Sequence, residues 1–381
     1  METPFTCPRC GNSDPRYIGI KNGQPYCRKC IGFRGENASN APTSPKNVIL
    51  DLAYHLSKEQ EFLSSKIIQN FKNGDDTLVY AVCGSGKTEI SYGIIGYAMS
   101  RGLHVGFALP RRDVCIELFF RLKSAFPHNR IIAVYGQHTS RLEADCVILT
   151  THQLYRYPNY FDLLVMDEID AFPFKGNEVL ISLFKRSLRG HCVMMSATPS
   201  EEIKAEFRKP HHQILELHTR FHKHPIPVPK NVIRLGILKY GFLIKKLREY
   251  RAKGKPCFIF VPTIALAESL FQILSFFVPK GNFVSSQREH RSEIIQAFRE
   301  KKYSYLVTTA VLERGVTIRD IQVIIYEADH KIYDSAALIQ ISGRAGRKSD
   351  APDGEVLFLA NQVSRSMAKA IKEIQFCNSF L

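Results

Sequence analysis

From residue 78 onward the chain alternates short apolar runs with longer amphipathic stretches. Apolar runs of this length, bounded by turn-forming residues, suit strands buried on both faces. The pattern predicts strands over 78–82, 104–109, 131–134, 146–150, 163–166, 192–195 and 214–217. Helical periodicity fills the gaps between them, including 87–101 and 113–125. Strands alternating with helices predict a parallel sheet covered on both faces. Residues 218–230 break the alternation with three prolines and no apolar period, which predicts a hinge. The alternation then resumes, with strands near 257–261, 305–308, 323–326 and 356–359 and helices over 263–277, 288–300 and 334–343.

Upstream the texture differs. Residues 1–35 are rich in Cys, Gly and Pro, and 36–47 (Asn, Ala, Ser, Pro) read as a linker. The expected fold class is α/β, with a small cysteine module (1–35), a linker (36–47), one parallel-sheet lobe (48–217), a hinge (218–229) and a second such lobe (230–381). With 45% apolar residues, each lobe can bury a core of its own. The longest apolar runs fall far short of the ~20 residues a membrane span needs. The N-terminus lacks the basic-then-apolar pattern of a signal peptide, so the expectation is a soluble intracellular chain.

The formal charge of +16 is unevenly spread, with +4 over 1–46, +2 over 47–229 and +10 over 230–381. A near-neutral lobe beside a basic one suits a polyanion lying mainly against the second, although charge alone is equally compatible with a merely soluble basic surface. Of the ten cysteines, four form a pattern. The others (Cys83, Cys115, Cys146, Cys192, Cys257 and Cys377) stand singly, mostly among apolar residues, as reduced thiols in a reducing cytosol do.

Cys7-Pro8-Arg9-Cys10 and Cys27-Arg28-Lys29-Cys30 are two Cys-x-x-Cys pairs, 16 residues apart. Four thiolates at that spacing can close a tetrahedron around Zn²⁺, whereas iron–sulfur and redox roles fit less well because a redox pair needs only one such motif. A closed site of this kind is structural. Arg9, Arg16, Arg28 and Lys29 leave open whether the module touches nucleic acid or a protein partner.

Ala81-Val82-Cys83-Gly84-Ser85-Gly86-Lys87-Thr88 joins a predicted strand to a predicted helix, the context a phosphate-binding loop requires. Backbone N–H groups of Gly84, Ser85 and Gly86 and the following helix N-terminus would face the phosphates of ATP. Lys87 would bridge the β- and γ-phosphates, and the Thr88 hydroxyl would ligate Mg²⁺. Alanine stands where the usual pattern begins with glycine. Asp167 and Glu168 follow an apolar strand, at the edge where ligands bind in such sheets. Asp167 suits Mg²⁺ and Glu168 suits a general base for the attacking water, against the alternative of an acidic pair capping the next helix. Ser196 and Thr198 end the next strand, where they can hydrogen-bond the acidic site and relay its occupancy or simply cap a helix. Gln340, Arg344 and Arg347 are spaced so that one helical face or turn presents them together. On lobe closure Arg344 and Arg347 would act as arginine fingers on the γ-phosphate, and Gln340 could also sense the nucleotide.

Taken in order, these motifs resemble the superfamily-two helicases and translocases, which have two RecA-like lobes, over about residues 50–381. The resemblance implies that Gln60 reads adenine. It also implies that Arg111, Arg112, Thr151, Thr263, Thr308, Thr309 and Arg314 lie in segments that grip the phosphodiester backbone of a single strand. Tyr155 and Phe172, beside such segments, could stack on bases. The four-cysteine module followed by Asp167-Glu168-Ile169-Asp170-Ala171-Phe172-Pro173-Phe174 resembles more narrowly the ComFA family of late-competence ATPases. That resemblance implies ATP-driven handling of single-stranded DNA during transformation at the inner face of the cell membrane. It further implies a phosphoribosyltransferase-like late-competence partner and the membrane DNA-uptake channel. Primosomal restart helicases are the nearest rival, but their zinc knuckles lie within the second lobe. A zinc-dependent DNA-binding scaffold using ATP as a conformational latch is the alternative from another class. The five histidines between His211 and His224 fall across a strand end and the hinge, which argues against a second metal site.

Overall fold

The computed structural model describes residues 5–41, 43–171, 173–288, 290–309 and 318–381. The chain divides into two compact units, Met1–Ala81 with Gly86–Leu217 and Val82–Ser85 with His218–Leu381.

In the first unit, β1 (Ile18–Lys21) and β2 (Gln24–Cys27) form an antiparallel hairpin. The main sheet contains β3 (Asp76–Ala81), β4 (Val105–Leu109), β5 (Ile131–Val134), β6 (Cys146–Thr150), β7 (Phe161–Met166), β8 (Leu188–Ser196) and β9 (His212–Leu217). Its strand order is β5-β6-β4-β7-β8-β3-β9, every pairing parallel. Along β7 the side chains alternate between two cores. Leu163 and Val165 pack with Ile67, Ile94 and Phe107, while Leu164 and Met166 pack with Leu149, Leu180 and Phe184. All ten are buried, and removing each such side chain from water stabilises by about 1.5–3 kcal/mol. That two-sided burial is why the strands read as continuous apolar runs rather than alternating ones.

The second unit repeats the plan. Its strands are β10 (Lys230–Ile233), β11 (Cys257–Phe260), β12 (Gly281–Val284), β13 (Tyr305–Thr308), β14 (Gln322–Tyr326) and β15 (Val356–Ala360), in the order β10-β15-β14-β11-β13-β12. Again all pairings are parallel, and apolar clusters cover both faces. The expected α/β class with two parallel-sheet units and a small cysteine module is therefore the observed one.

Segment 36–47 is not a free tether. Ala38 N donates to Arg156 O at 2.8 Å, Ser39 N to Glu143 Oε1 at 2.7 Å, and His104 Nε2 meets Ala41 O at 3.1 Å. Lys46 pairs with Asp145. Its polar, proline-containing composition suits a strap that satisfies its backbone against a neighbour as well as it suits a linker. Among the described residues, no helix is long and apolar enough to cross a membrane.

Candidate nucleotide site and cysteine cluster

The strand order fixes the geometry of the first unit's chemistry. β7, β8 and β3 are neighbours and run in the same direction. Their carboxyl ends carry, respectively, Asp167-Glu168, Ser196-Ala197-Thr198 and the phosphate loop. Adjacent strands lie about 4.8 Å apart, so the three segments meet within about 10 Å along one sheet edge. That edge is where ligands bind in open parallel sheets.

The loop's conformation explains its glycines. Gly84 has φ 84° and Gly86 has φ 82°, left-handed values that cost other residues roughly 1–2 kcal/mol. Gly86 caps the helix Lys87–Ile90, and after Ser91 the path continues as Tyr92–Ser100. One helix was expected over this stretch; Ser91, at ψ −15°, divides it. Lys87 Nζ donates to Ala81 O at 2.8 Å, which folds the ammonium back over the loop.

Gln60 reaches this loop from the helix Lys58–Asn73. It belongs to a capping box. Gln60 N donates to Ser57 Oγ at 3.2 Å and Ser57 N to Gln60 Oε1 at 2.9 Å, satisfying two helix-end donors. The same side chain, 5% exposed, packs so close to Gly86 that a Cβ there would sit 2.2 Å from Gln60 Nε2. Helix capping therefore fixes Gln60 beside the phosphate loop.

Asp167 continues the ladder of β7, its N–H donating to Ala108 O at 3.2 Å. Its Oδ1 accepts from Glu168 N at 2.8 Å, and Glu168 takes the left-handed φ of 59°. A left-handed glutamate stores strain of the kind found at functional sites. Ser196 and Thr198 serve the acidic segment, but through its fourth residue. Ser196 Oγ donates to Asp170 Oδ1 at 2.8 Å and Thr198 Oγ1 to Asp170 Oδ2 at 2.7 Å. Thr198 N closes the cluster on Ser196 Oγ at 2.9 Å.

In the second unit, Asp334 caps the helix Ser335–Ser342, accepting from Ala337 N at 2.8 Å. Gln340 lies on this helix and is buried. Its Oε1 accepts from Cys83 Sγ at 2.8 Å, Cys83 being one of the loop residues grouped with this unit. Arg344 and Arg347 follow the helix on a turn rather than on its face. Arg344 is buried, and Arg347 Nε donates to Gly343 O at 3.2 Å. Gly346, at φ 64°, allows the chain to turn between them.

Sequence reasoning missed Arg220, one of the largest buried side chains. Burial, and then the charge of Arg347, push its pKa down to about 10. The only signal for it was a single arginine in a proline-rich stretch without apolar period.

The four cysteines converge. Cys7 Sγ and Cys30 Sγ lie 3.6 Å apart, Cys10 Sγ and Cys27 Sγ 3.7 Å, and all four sulfurs lie within 4.8 Å of one another. Tetrahedral zinc with Zn–S of about 2.3 Å requires sulfur–sulfur edges of roughly 3.8 Å, so the donor set fits that ion. A disulfide would need about 2.05 Å. All ten cysteines are free and buried. Burial, and then Cys7 and Cys10, push the Cys30 thiol up, a cost that a bound cation would remove by holding the thiolates. The cluster packs against Phe5, Phe33 and Val179, and Lys29 pairs with Glu178 at 3.1 Å. Among the described residues, these four cysteines are the group of three or more Cys, His, Asp or Glu side chains whose ligand atoms gather closely enough to hold a metal.

The residues expected to grip a strand are less uniform. Arg112 is exposed, with its guanidinium 5.1 Å from the Tyr135 ring centroid, and Arg111 is half-buried at the start of the helix Arg112–Ala125. Thr263 is exposed and caps the helix Ile264–Phe277, its Oγ1 accepting from Leu266 N at 3.2 Å. Thr309 is half-buried. Thr151 and Thr308, expected to offer hydroxyls, are fully buried and present none to solvent. Both sit where a strand ends, and position there does not decide which way a side chain points. Tyr155, expected to stack on bases, is engaged elsewhere. Its hydroxyl donates to Arg34 O and its ring lies 5.7 Å from Phe33, tying the cysteine module to the rest of the first unit. Arg314 and Phe172 fall outside the described residues.

Two family models match, the DEAD/DEAH box helicase over residues 63–205 and the helicase conserved C-terminal domain over 239–349. The chain is 35% identical to the competence protein ComFA of Streptococcus pneumoniae, across 98% of this chain and 90% of that protein. The chain belongs to the ComFA family. It is also 32% identical to ComFA of Bacillus subtilis, across 98% of this chain and 86% of that one. Solved helicases share its fold. Yeast (S. cerevisiae) Dbp5 bound to RNA and ADP BeF3 has a TM-score of 0.62 at 16% identity, covering 86% of this chain and 92% of its own. Mycobacterium smegmatis Lhr bound to ssDNA and AMP-PNP has a TM-score of 0.61 at 17% identity, covering 84% of this chain and 50% of its own. The ComFA-family chain is thus a helicase-like, ATP-hydrolysing enzyme with two RecA-like lobes.

Proposed function

We propose that the chain is an ATP-dependent translocase on single-stranded DNA that drives DNA uptake during transformation. The observation that carries this reading is the convergence of the phosphate loop, the acidic pair and the Ser196/Thr198/Asp170 cluster on three adjacent parallel strand ends. In it, Gly84, Ser85, Gly86, Lys87 and Thr88 bind the triphosphate, Gln60 reads the adenine, and Glu168 orients and deprotonates the attacking water. Thr88 and Asp167 would hold Mg²⁺, which neutralises phosphate charge when bound. Gln340, Arg344 and Arg347 stabilise charge on the transferred phosphoryl group, and Ser196 and Thr198 couple the site to strand binding through Asp170.

Arg111, Arg112, Thr263, Thr309 and Arg314 supply sequence-tolerant backbone contacts, and Thr151 and Thr308 contribute through their main chain. The +10 charge of residues 230–381 supports a polyanion on the second lobe. The four cysteines hold zinc as a structural staple for the module. A cytoplasmic chain at the inner face of the membrane, meeting a phosphoribosyltransferase-like partner and the uptake channel, completes the reading.

ATP turnover with and without single-stranded DNA tests it. Lys87→Ala and Glu168→Gln are expected to abolish DNA-stimulated turnover while leaving the fold intact. Unchanged turnover in both variants would defeat the proposal, and negligible wild-type turnover in both conditions would favour a conformational latch.

A further inference from the structure

Arg220 has no part in the chemistry above, yet its environment is built with care. It is 2% exposed, and its partners are all main-chain carbonyls. Nη1 donates to Ala345 O at 3.0 Å and to Gly346 O at 2.5 Å, while Nη2 donates to Gly343 O at 3.2 Å. Nε has no partner among the described residues. A buried guanidinium is ordinarily matched by a carboxylate, whereas the groups that bear on this one are the like-charged Arg347 and, opposing it more weakly, Cys83. Stability alone does not explain such an arrangement, because an apolar residue would fill the space without burying a charge.

The three carbonyls belong to one turn, Gly343 to Gly346, which contains Arg344 and leads directly into Arg347. The same segment holds the turn a second time, with His222 Nε2 3.1 Å from Gly346 O. On another side Gly346 is pressed against Pro352, where an added Cβ would sit 2.0 Å from Pro352 O. Only arginine offers five donors in a rigid planar fork, so one side chain can pin several carbonyls at fixed angles. The concentration of positive charge, with no carboxylate on Arg220 among the described residues, favours an anion at the turn.

We propose that Arg220 is a positioning residue for ATP hydrolysis, bracing the Gly343–Gly346 turn so that Arg344 and Arg347 are held ready for the terminal phosphate. This rests on the reading that those two arginines serve the ATPase. His222 assists from the same segment.

Steady-state ATPase measurements on the full chain with single-stranded DNA test the idea, each variant normalised to its folded fraction from thermal unfolding. Arg220→Gln is expected to lower kcat about 100-fold, the scale of a misplacement of about 1 Å, with KM for ATP within about twofold of wild type. Arg220→Lys, with a single ammonium, should fall between the two, and His222→Gln should lose only several-fold in kcat. A folded Arg220→Gln protein with wild-type kcat would overturn the proposal, as would a loss seen in KM alone. Should Arg220→Gln fail to fold, the other two variants decide: reduced kcat at unchanged KM supports the role, and wild-type kcat in both overturns it. A wild-type chain without turnover would defeat the functional reading itself. Wild-type turnover beside unaffected Arg220 variants would defeat only the role of Arg220.

Discussion

Gly86→Ala probes two independent features of the nucleotide loop at once. Gly86 sits at φ 82°, so any side chain there costs roughly 1–2 kcal/mol in backbone strain. The added Cβ would also lie 2.2 Å from Gln60 Nε2, which must move. Gln60 is the far end of a side chain, so the displacement costs its interactions rather than main-chain geometry. The bond at risk is Ser57 N to Gln60 Oε1 at 2.9 Å, half of the capping box and worth about 1 kcal/mol. The combined expectation is about 2–3 kcal/mol, or a fall of roughly 4–12 °C in the melting midpoint of the first unit. A double-mutant cycle separates the parts. In a Gln60→Ala background the steric term vanishes and Gly86→Ala should cost only the backbone share, leaving a coupling of about 1 kcal/mol. In ATPase assays both single variants should raise KM for ATP. Strictly additive stabilities, or an unchanged KM in Gly86→Ala, would refute the reasoning.

Three further outcomes follow from other contacts. Ser196→Ala removes one of the two hydroxyls on Asp170 and should cost about 1–3 kcal/mol by denaturant unfolding. It should also reduce the ratio of DNA-stimulated to basal turnover, and an unchanged ratio would remove Ser196 from the coupling path. Burial opposes ionisation of Asp162, but bonds from Arg189 and from His104 N outweigh it and hold the carboxyl below the usual range. That stabilisation is present above the unfolded value of about 3.9 and is lost as pH falls through the lower folded value. Because Arg189 is partly solvated, Asp162→Asn should destabilise by only about 1 kcal/mol at pH 7, and the difference from wild type should shrink in urea titrations as pH falls below the unfolded value and vanish once the folded carboxyl is protonated. A difference that persists in acid would contradict this. Cys27→Ser should lose the bound zinc and expose residues 1–35 to limited proteolysis; one zinc per chain after the substitution would rule out the four-sulfur site.

The buried centre of each sheet was legible because its apolar runs admit no other reading. The interior strands 146–150 and 305–308 are found where the pattern puts them. What escaped lies at sheet edges and in polar detail. β10 is a four-residue edge strand, mostly exposed, and follows three prolines, so it carries no apolar signature. β12, at the opposite edge, starts on a glycine. β8 begins four residues earlier than expected, since Arg189, Gly190 and His191 separate Leu188 from the apolar run, although Arg189 is held by Asp162.

At the site, spacing put the acidic pair and Ser196–Thr198 at strand ends but did not give their partners. The bonds of Ser196 and Thr198 to Asp170, the burial of Thr151 and Thr308, and the carbonyl cage of Arg220 are all three-dimensional facts. None has a periodic trace in the chain. The docking of the cysteine module through Phe33 and Tyr155 is of the same kind.

Displacement of streptavidin from the end of a biotinylated single-stranded oligonucleotide tests the motor claim most directly. With ATP the wild-type chain should clear streptavidin many-fold faster than with a non-hydrolysable analogue, and Lys87→Ala should show no such acceleration. Equal displacement with ATP and analogue, alongside normal DNA binding, would contradict translocation.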